Sequence, residues 1–160
     1  MKRVLILIIT ISFNFLICKA QQRATVEGIN YLELQIKKSA SDAVQIKNSS
    51  SYLIGKFGTP STNNSYYFEM DEKNGSLLQY NNNDFYIMED QFYSLDIKTN
   101  EFYVGLNGRY ITVGDNINMV VAMYGNAFDF KTSSAIYIPL LYNDQGIDGA
   151  YLIIFFDENT

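Results

Sequence analysis

Between Glu69 and Asp96 the sequence carries seven carboxylates: Glu69, Asp71, Glu72, Asp84, Glu89, Asp90 and Asp96. Two acids facing each other across a few ångströms can cleave a glycosidic bond, one as proton donor and the other as base or nucleophile. Most of these acids, however, stand among Asn, Gly and Lys in turn-like stretches, where carboxylates cap and solvate the backbone. The other catalytic groups are sparse. With no His, imidazole acid–base work and His-ligated metal are excluded. With one Cys, so is an intramolecular disulfide. A serine nucleophile would need Lys, Asp or Glu as its base. Lys37, Lys38, Lys47, Lys56, Lys73, Lys98 and Lys131 are scattered, with no Ser-x-x-Lys. No phosphate loop, dinucleotide fingerprint, nucleophile elbow or zinc-ligand spacing occurs. Asp71–Gly75 and Asn143–Gly149 offer hard oxygens for calcium, but neither has the spaced acids of a helix–loop–helix site. The expectation is a protein without catalytic residues, metal or cofactor.

The abundant feature is aromatic. Tyr66, Tyr67, Phe68, Tyr80, Phe85, Tyr86, Phe92, Tyr93, Phe102, Tyr103 and Tyr110 lie within one stretch. Adjacent residues of a strand point to opposite faces, so each aromatic doublet must send one ring out of the core. In Gln91–Lys98 the set Tyr93, Leu95, Ile97 is apolar and reads as buried, which turns Phe92, Ser94 and Asp96 outward. In Ser65–Met70 the set Tyr66, Phe68, Met70 reads as buried, which leaves Tyr67 and Glu69 outside. Tyr67, Glu69, Phe92, Ser94 and Asp96 are therefore the candidate partner-binding residues, on a rigid aromatic surface of the kind proteins and glycans use. Cross-strand pairing that merely stabilises the sheet is the competing role, as is a sheet face covered by the other half of the chain.

The elements that must hold this surface follow from hydrophobic spacing. From Ile29, the alternate residues Leu32, Leu34 and Ile36 read as one core face, and Val44–Ile46 as a short strand. Tyr52, Leu53, Ile54 and Phe57 recur at helical spacing and stop at Gly58-Thr59-Pro60. Ser65–Met70, Ser76–Tyr80, Asp84–Met88 and Gln91–Lys98 read as strands, separated by Asn-, Asp- and Gly-rich turns too short for anything but antiparallel pairing. Glu101–Val104 and Tyr110–Val113 are further strands. Ile117, Val120, Val121 and Tyr124 then give a second helix, stopped at Gly125. Ala135–Tyr142 and Tyr151–Asp157 close the pattern, with Asn143–Gly149 as their connection.

A shift of 67 residues superposes Val44-Gln45-Ile46 on Ile111-Thr112-Val113, Leu53-Ile54 on Val120-Val121, and Phe57-Gly58 on Tyr124-Gly125. A fixed period is the signature of a repeat. The predicted fold is α+β: two tandem units, each a short helix plus an antiparallel meander, in two layers. The half-repeats span about 29–100 and 101–160 of a single domain, 21–160. The unit, with Ile111-Thr112-Val113-Gly114-Asp115 and Tyr124-Gly125 in one half and Phe57-Gly58-Thr59-Pro60 in the other, resembles the half-domain of the beta-lactamase inhibitor protein. It is also similar to the small lipoprotein of the outer-membrane barrel-assembly machine. Lys47-Asn48 replaces Gly-Asp in the first half, and Ala127 stands where the first half has Pro60. The resemblance implies an exported protein that acts by binding.

The N-terminus carries its own signal. Lys2 and Arg3 precede the apolar run Val4–Ile17, and Cys18-Lys19-Ala20 puts small residues before Gln21. That is the layout of a secretory signal peptide spanning residues 1–20, shorter than a transmembrane helix requires. A retained anchor, or lipid on Cys18, is the alternative. Cleavage after Ala20 removes Lys2, Arg3 and Lys19 and takes the net charge from −5 to −8. An acidic chain is a poor fit for nucleic acid or an anionic membrane. The expected location is the periplasm or the cell exterior, with no transmembrane segment after cleavage. The expected function is non-enzymatic binding of another protein in or outside the cell envelope. The alternatives are an immunity or inhibitor protein for an envelope toxin or enzyme, a carbohydrate-binding module, and a low-activity hydrolase.

Overall fold

In a computed structural model the described residues are 4–10, 28–38, 43–106, 108–125, 130–132, 134–143 and 145–156. The runs of β-formers pair through the turns the sequence supplies. Thr62–Phe68 (β5), Lys73–Tyr80 (β6), Asn83–Met88 (β7) and Gln91–Ile97 (β8) form an antiparallel meander. Glu72 in the four-residue turn before β6, and Asn81, Glu89 and Asp90 in the two-residue turns, take positive φ, which a two-residue hairpin demands. Phe130–Lys131 (β11), Ala135–Tyr142 (β12) and Gln145–Phe156 (β13) form a second meander. The expected connection at Asn143–Gly149 shrinks, because Gln145 and Gly146 already pair with Tyr142 and Leu141.

Ahead of each meander stand two strands and a helix. In the first half these are Gln35–Lys38 (β3), Val44–Gln45 (β4) and Ser50–Phe57 (α1). In the second they are Phe102–Leu106 (β9), Arg109–Thr112 (β10) and Ile117–Tyr124 (α2). The two helices are of equal length, offset by 67 residues, and capped alike by Ser49 and Asn116 side chains accepting from backbone N–H groups.

The predicted α+β architecture of two helix-plus-meander units in two layers is not what forms. Among the described residues the chain is mostly β, with two eight-residue α-helices. The strands fuse across the halves into two shared sheets. One runs β11-β12-β13-β1-β8-β7-β6-β5, where β1 is Val4–Thr10, and a short parallel strand Ile29–Asn30 (β2) joins β12. The other runs β10-β9-β3-β4. The reason is physical: two short helices cover little of a sheet face, and each meander would leave an unpaired edge. Edge pairing between the halves and a common core answer both. That core is continuous and draws Leu34 and Ile36, Leu53 and Phe57, Phe85 and Leu95, Phe102 and Val104, Val120, and Ile138, Leu152 and Ile154 into one cluster. Among the described residues no helix is long and apolar enough to cross a membrane.

The two halves meet in the small sheet through an antiparallel pair of equivalent strands. In the small sheet Gln35 pairs with Gly105, the 67-residue counterpart of Lys38, and Lys38 pairs with Phe102, the counterpart of Gln35. In the large sheet β1 precedes β3 as β8 precedes β9. There β1 lies between β8, the last strand of the first meander, and β13, the last strand of the second.

The expected face at Leu32, Leu34 and Ile36 is half right. Tyr31–Glu33 forms a single 3-10 turn, which resets the alternation, so Ile29, Tyr31, Leu34 and Ile36 are buried and Leu32 only partly.

Candidate functional site

The sheet β5–β8 has one face in the common core and one turned outward. On the core face lie Leu78, Phe85, Ile87, Phe92, Leu95 and Ile97. The outward face carries Tyr66 and Phe68 of β5, Tyr86 and Met88 of β7, and Tyr93, Ser94 and Asp96 of β8. Of the candidate residues, Ser94 and Asp96 are where the alternation puts them, half-buried on the outward face. Phe92 is not: it is 5% exposed and sits in the core near Phe85, their ring centroids 6.5 Å apart. The cause is a β-bulge. Tyr86 pairs with Ser94 but Ile87 pairs with Phe92, so Tyr93 is an inserted residue and the parity flips between Phe92 and Leu95. Tyr93 is therefore the outward member of its doublet.

The other doublet is also inverted. Tyr66 and Phe68, expected inside, lie on the outward face with Tyr86, and Met70 is almost fully exposed in the turn after β5. Tyr67 is exposed as expected, but on the opposite side of β5 from Tyr66 and Phe68, and Glu69 is an exposed turn residue. The five candidates thus do not form one patch. Ser94 and Asp96 come together instead with Tyr66, Tyr86, Asp84 and Tyr93, which the alternation alone had not selected.

The rings on this face pack edge to face: Tyr66–Phe68 at 4.9 Å, Tyr66–Tyr86 at 5.0 Å and Phe68–Tyr93 at 4.7 Å between centroids. The Tyr93 hydroxyl donates to Asp71 Oδ2 at 2.8 Å and so ties the β5–β6 turn onto the cluster. Beside the rings stand two acids directly opposite each other, Asp84 on β7 and Asp96 on β8. Like charges so placed repel, and the neighbours offset this. Asp84 accepts from Gln79 Nε2 at 2.8 Å and pairs with Lys98 Nζ at 2.5 Å. Asp96 accepts from the Tyr86 hydroxyl.

Burial raises the Asp96 pKa above the ordinary carboxylate range; Lys98 pulls it back down, while the Asp84 charge adds to the rise. Burial, then Asp96 and Asp84, push the Tyr86 hydroxyl up to about 12. A carboxylate with a raised native pKa binds its proton more tightly folded than unfolded. Its contribution to stability is full in acid and is lost as pH rises through the native value. Asp96→Asn keeps an acceptor for Tyr86 and removes the charge. The variant is expected to melt above the wild type at neutral pH, with the advantage vanishing in acid. Thermal melts across that pH range check this, and a variant less stable at neutral pH contradicts it.

Chemically, the pair sets two acids opposite each other on neighbouring strands. Asp84 is 6% exposed and engaged by Gln79 and Lys98, an arrangement that suits a structural ion pair better than a nucleophile. No group of three or more acids and thiols able to hold a metal occurs among the described residues.

Across β1 the outward face continues on the other meander. Tyr137 and Tyr151 meet at 6.0 Å and 85°, and Ile153 and Phe155 alternate with the buried Leu152 and Ile154. All four are half-buried.

Comparison of the chain with protein-family models, with curated proteins and with solved structures finds no match.

Proposed function

We propose that this chain is an exported, non-catalytic domain that binds another protein through the outward face of its large sheet. One observation carries the reading. One face of that sheet buries its side chains in the core, while the opposite face bears half-exposed aromatic and aliphatic side chains in both halves: Tyr66, Tyr86, Tyr137, Tyr151, Ile153 and Phe155. Rigid amphipathic rings of this kind are the residue types that anchor protein interfaces. The acidic balance of the chain and the Asp96 carboxylate beside the rings favour a basic partner, as an inhibitor or immunity protein would have.

The test is retention of an envelope partner by the immobilised protein. The Tyr66→Ser/Tyr86→Ser variant is expected to keep its fold by circular dichroism and to lose at least about tenfold in affinity. Steering by charge predicts an association rate that falls steeply with salt. A variant that retains its partner undiminished overturns the reading.

Carbohydrate binding is the second reading, and the acid pair beside Tyr86 is what favours it, since carboxylates accept from sugar hydroxyls and rings stack on sugar faces. Oligosaccharides would then protect tyrosine fluorescence from quenching.

A further inference from the structure

The strand β1 occupies a place that the expected export signal would vacate. Val4–Thr10 is the core of the expected signal peptide, yet it lies between β8 and β13. Leu7, Ile8 and Ile9 pair with Ile97, Asp96 and Leu95 on one side, and with Ile154, Ile153 and Leu152 on the other. Both ladders are antiparallel, so β8 and β13 run parallel to each other. The residues flanking positions 7 and 9, namely Leu95, Ile97, Leu152 and Ile154, are 0–2% exposed and belong to the common core.

Cleavage after Ala20 removes this strand and leaves a slot one strand wide, about 10 Å from β8 to β13. Its floor is apolar and both its walls are unpaired backbone. Simple closure is opposed by the other layer. There β3 and β9 pair antiparallel over Gln35–Lys38 and Phe102–Gly105, and that ladder ties the two halves at a set spacing. Bringing β8 onto β13 would shift one half by a whole strand spacing, about 5 Å, against that ladder.

We infer that in the mature chain this slot receives an extended segment of a partner protein, added as a strand antiparallel to both β8 and β13. The inference rests on the export and binding reading and names the mode of binding. The fitted occupant defines the chemistry: about seven residues, uncharged and apolar at the two positions corresponding to Leu7 and Ile9. The slot also lies between the two aromatic halves of the outward face, Tyr86 and Ser94 on one side and Tyr151 and Ile153 on the other, so a docked strand continues the proposed interface.

Two measurements test this separately. The full chain, given a protease site within residues 11–20, is cut in solution with an excess of labelled peptide carrying the sequence of residues 4–10 between lysines. The expected result is uptake of labelled peptide into the cut protein. A peptide with Asp at the positions of Leu7 and Ile9 is expected to bind at least about tenfold more weakly. No uptake overturns the inference, whether the cut protein stays folded or precipitates. Amide exchange on the secreted chain is the second measurement. Fast exchange along the facing edges of β8 and β13, slowed by the peptide, supports an open slot. Protection without peptide means that the slot has closed or filled itself, and overturns the inference. The mass of the chain recovered from the envelope reads the export premise alone: a start at Gln21 supports it, and a start at Met1 overturns it whatever the peptide does.

Discussion

Phe85→Ala is expected to lower stability by about 3–5 kcal/mol, the cost of deleting a fully buried ring whose cavity cannot collapse. Phe85 is 0% exposed, and four other rings converge on it. Centroids lie at 6.1 Å to Phe57 of α1, 5.4 Å to Tyr80 of β6, 6.5 Å to Phe92 of β8 and 5.0 Å to Phe102 of β9. Phe57 and Phe102 also meet edge to face at 5.2 Å. The ring is therefore the point where the first helix, the large sheet and the small sheet touch. Its loss removes contacts from the first helix and both sheets together. Tyr86→Ala, one residue on and half-exposed on the opposite face, serves as the control and is expected to cost clearly less. Urea unfolding should show a lower midpoint for Phe85→Ala with an unchanged slope. A loss under about 1 kcal/mol would mean that the core repacks around the gap, and that this cluster is not the joint between the layers.

Local elements were readable because their signals are local. Leu53 and Phe57, and Ile117, Val120 and Tyr124, face the core of helices where the spacing placed them, and Tyr52 and Val121 are the members of those sets left exposed. Asn81-Asn82 and Glu89-Asp90 turn the chain as their types require. What escaped is whatever depends on pairing. The bulge at Tyr93 has no composition signature, but counting would have exposed it. A two-residue turn at Glu89-Asp90 sets Ile87 opposite Phe92, and Ile87 and Phe85 share a face. Phe92 and Leu95 are three residues apart, so both reach that face only across an inserted residue. The parity error in Tyr66–Phe68 has a different origin. β5 is an edge strand, exposed along nearly its whole length, so inside and outside are weakly written in its sequence. The fusion of the halves was invisible, since a short helix after two strands reads the same whether its sheet is private or shared. The place of Val4–Thr10 was invisible for a related reason: an apolar run carries the export signal and suits a buried strand equally well. The outward-face cluster of Tyr66, Tyr86, Asp84 and Asp96 follows only once those pairings are known.

Asn83→Leu is expected to cost about 2–4 kcal/mol, although it exchanges one side chain for another of similar size. Asn83 is 0% exposed, one of two buried polar residues among those described. Its Oδ1 accepts from the backbone N–H of Lys98 at 2.9 Å and of Thr99 at 3.0 Å. Its Nδ2 donates to the Tyr80 carbonyl at 3.1 Å and to Thr99 Oγ1 at 2.8 Å. One amide therefore closes the β6–β7 turn and also fixes the bend by which the chain leaves β8 for β9. Leucine fills the space and satisfies none of these groups, and a buried N–H without a partner costs about 1–3 kcal/mol. That bend is where the chain passes from the large sheet to the small one. Lys38 of β3 reaches the same place, pairing with Glu101 at 3.2 Å and donating to the Phe57 carbonyl at 3.0 Å. Loosening Asn83 should thus be felt in both sheets. Native-state amide exchange is expected to show Lys98 and Thr99 opening fastest in the variant, with faster exchange also at Tyr103 and Val104 of β9 and slow exchange kept at Ile136 and Ile138 of β12. If Lys98 and Thr99 stay protected in Asn83→Leu, the bend is held by the strands themselves and the amide only fills space. If instead all amides open together, the two halves unfold as one unit, and the shared sheets couple them more tightly than the single connection between β8 and β9 does.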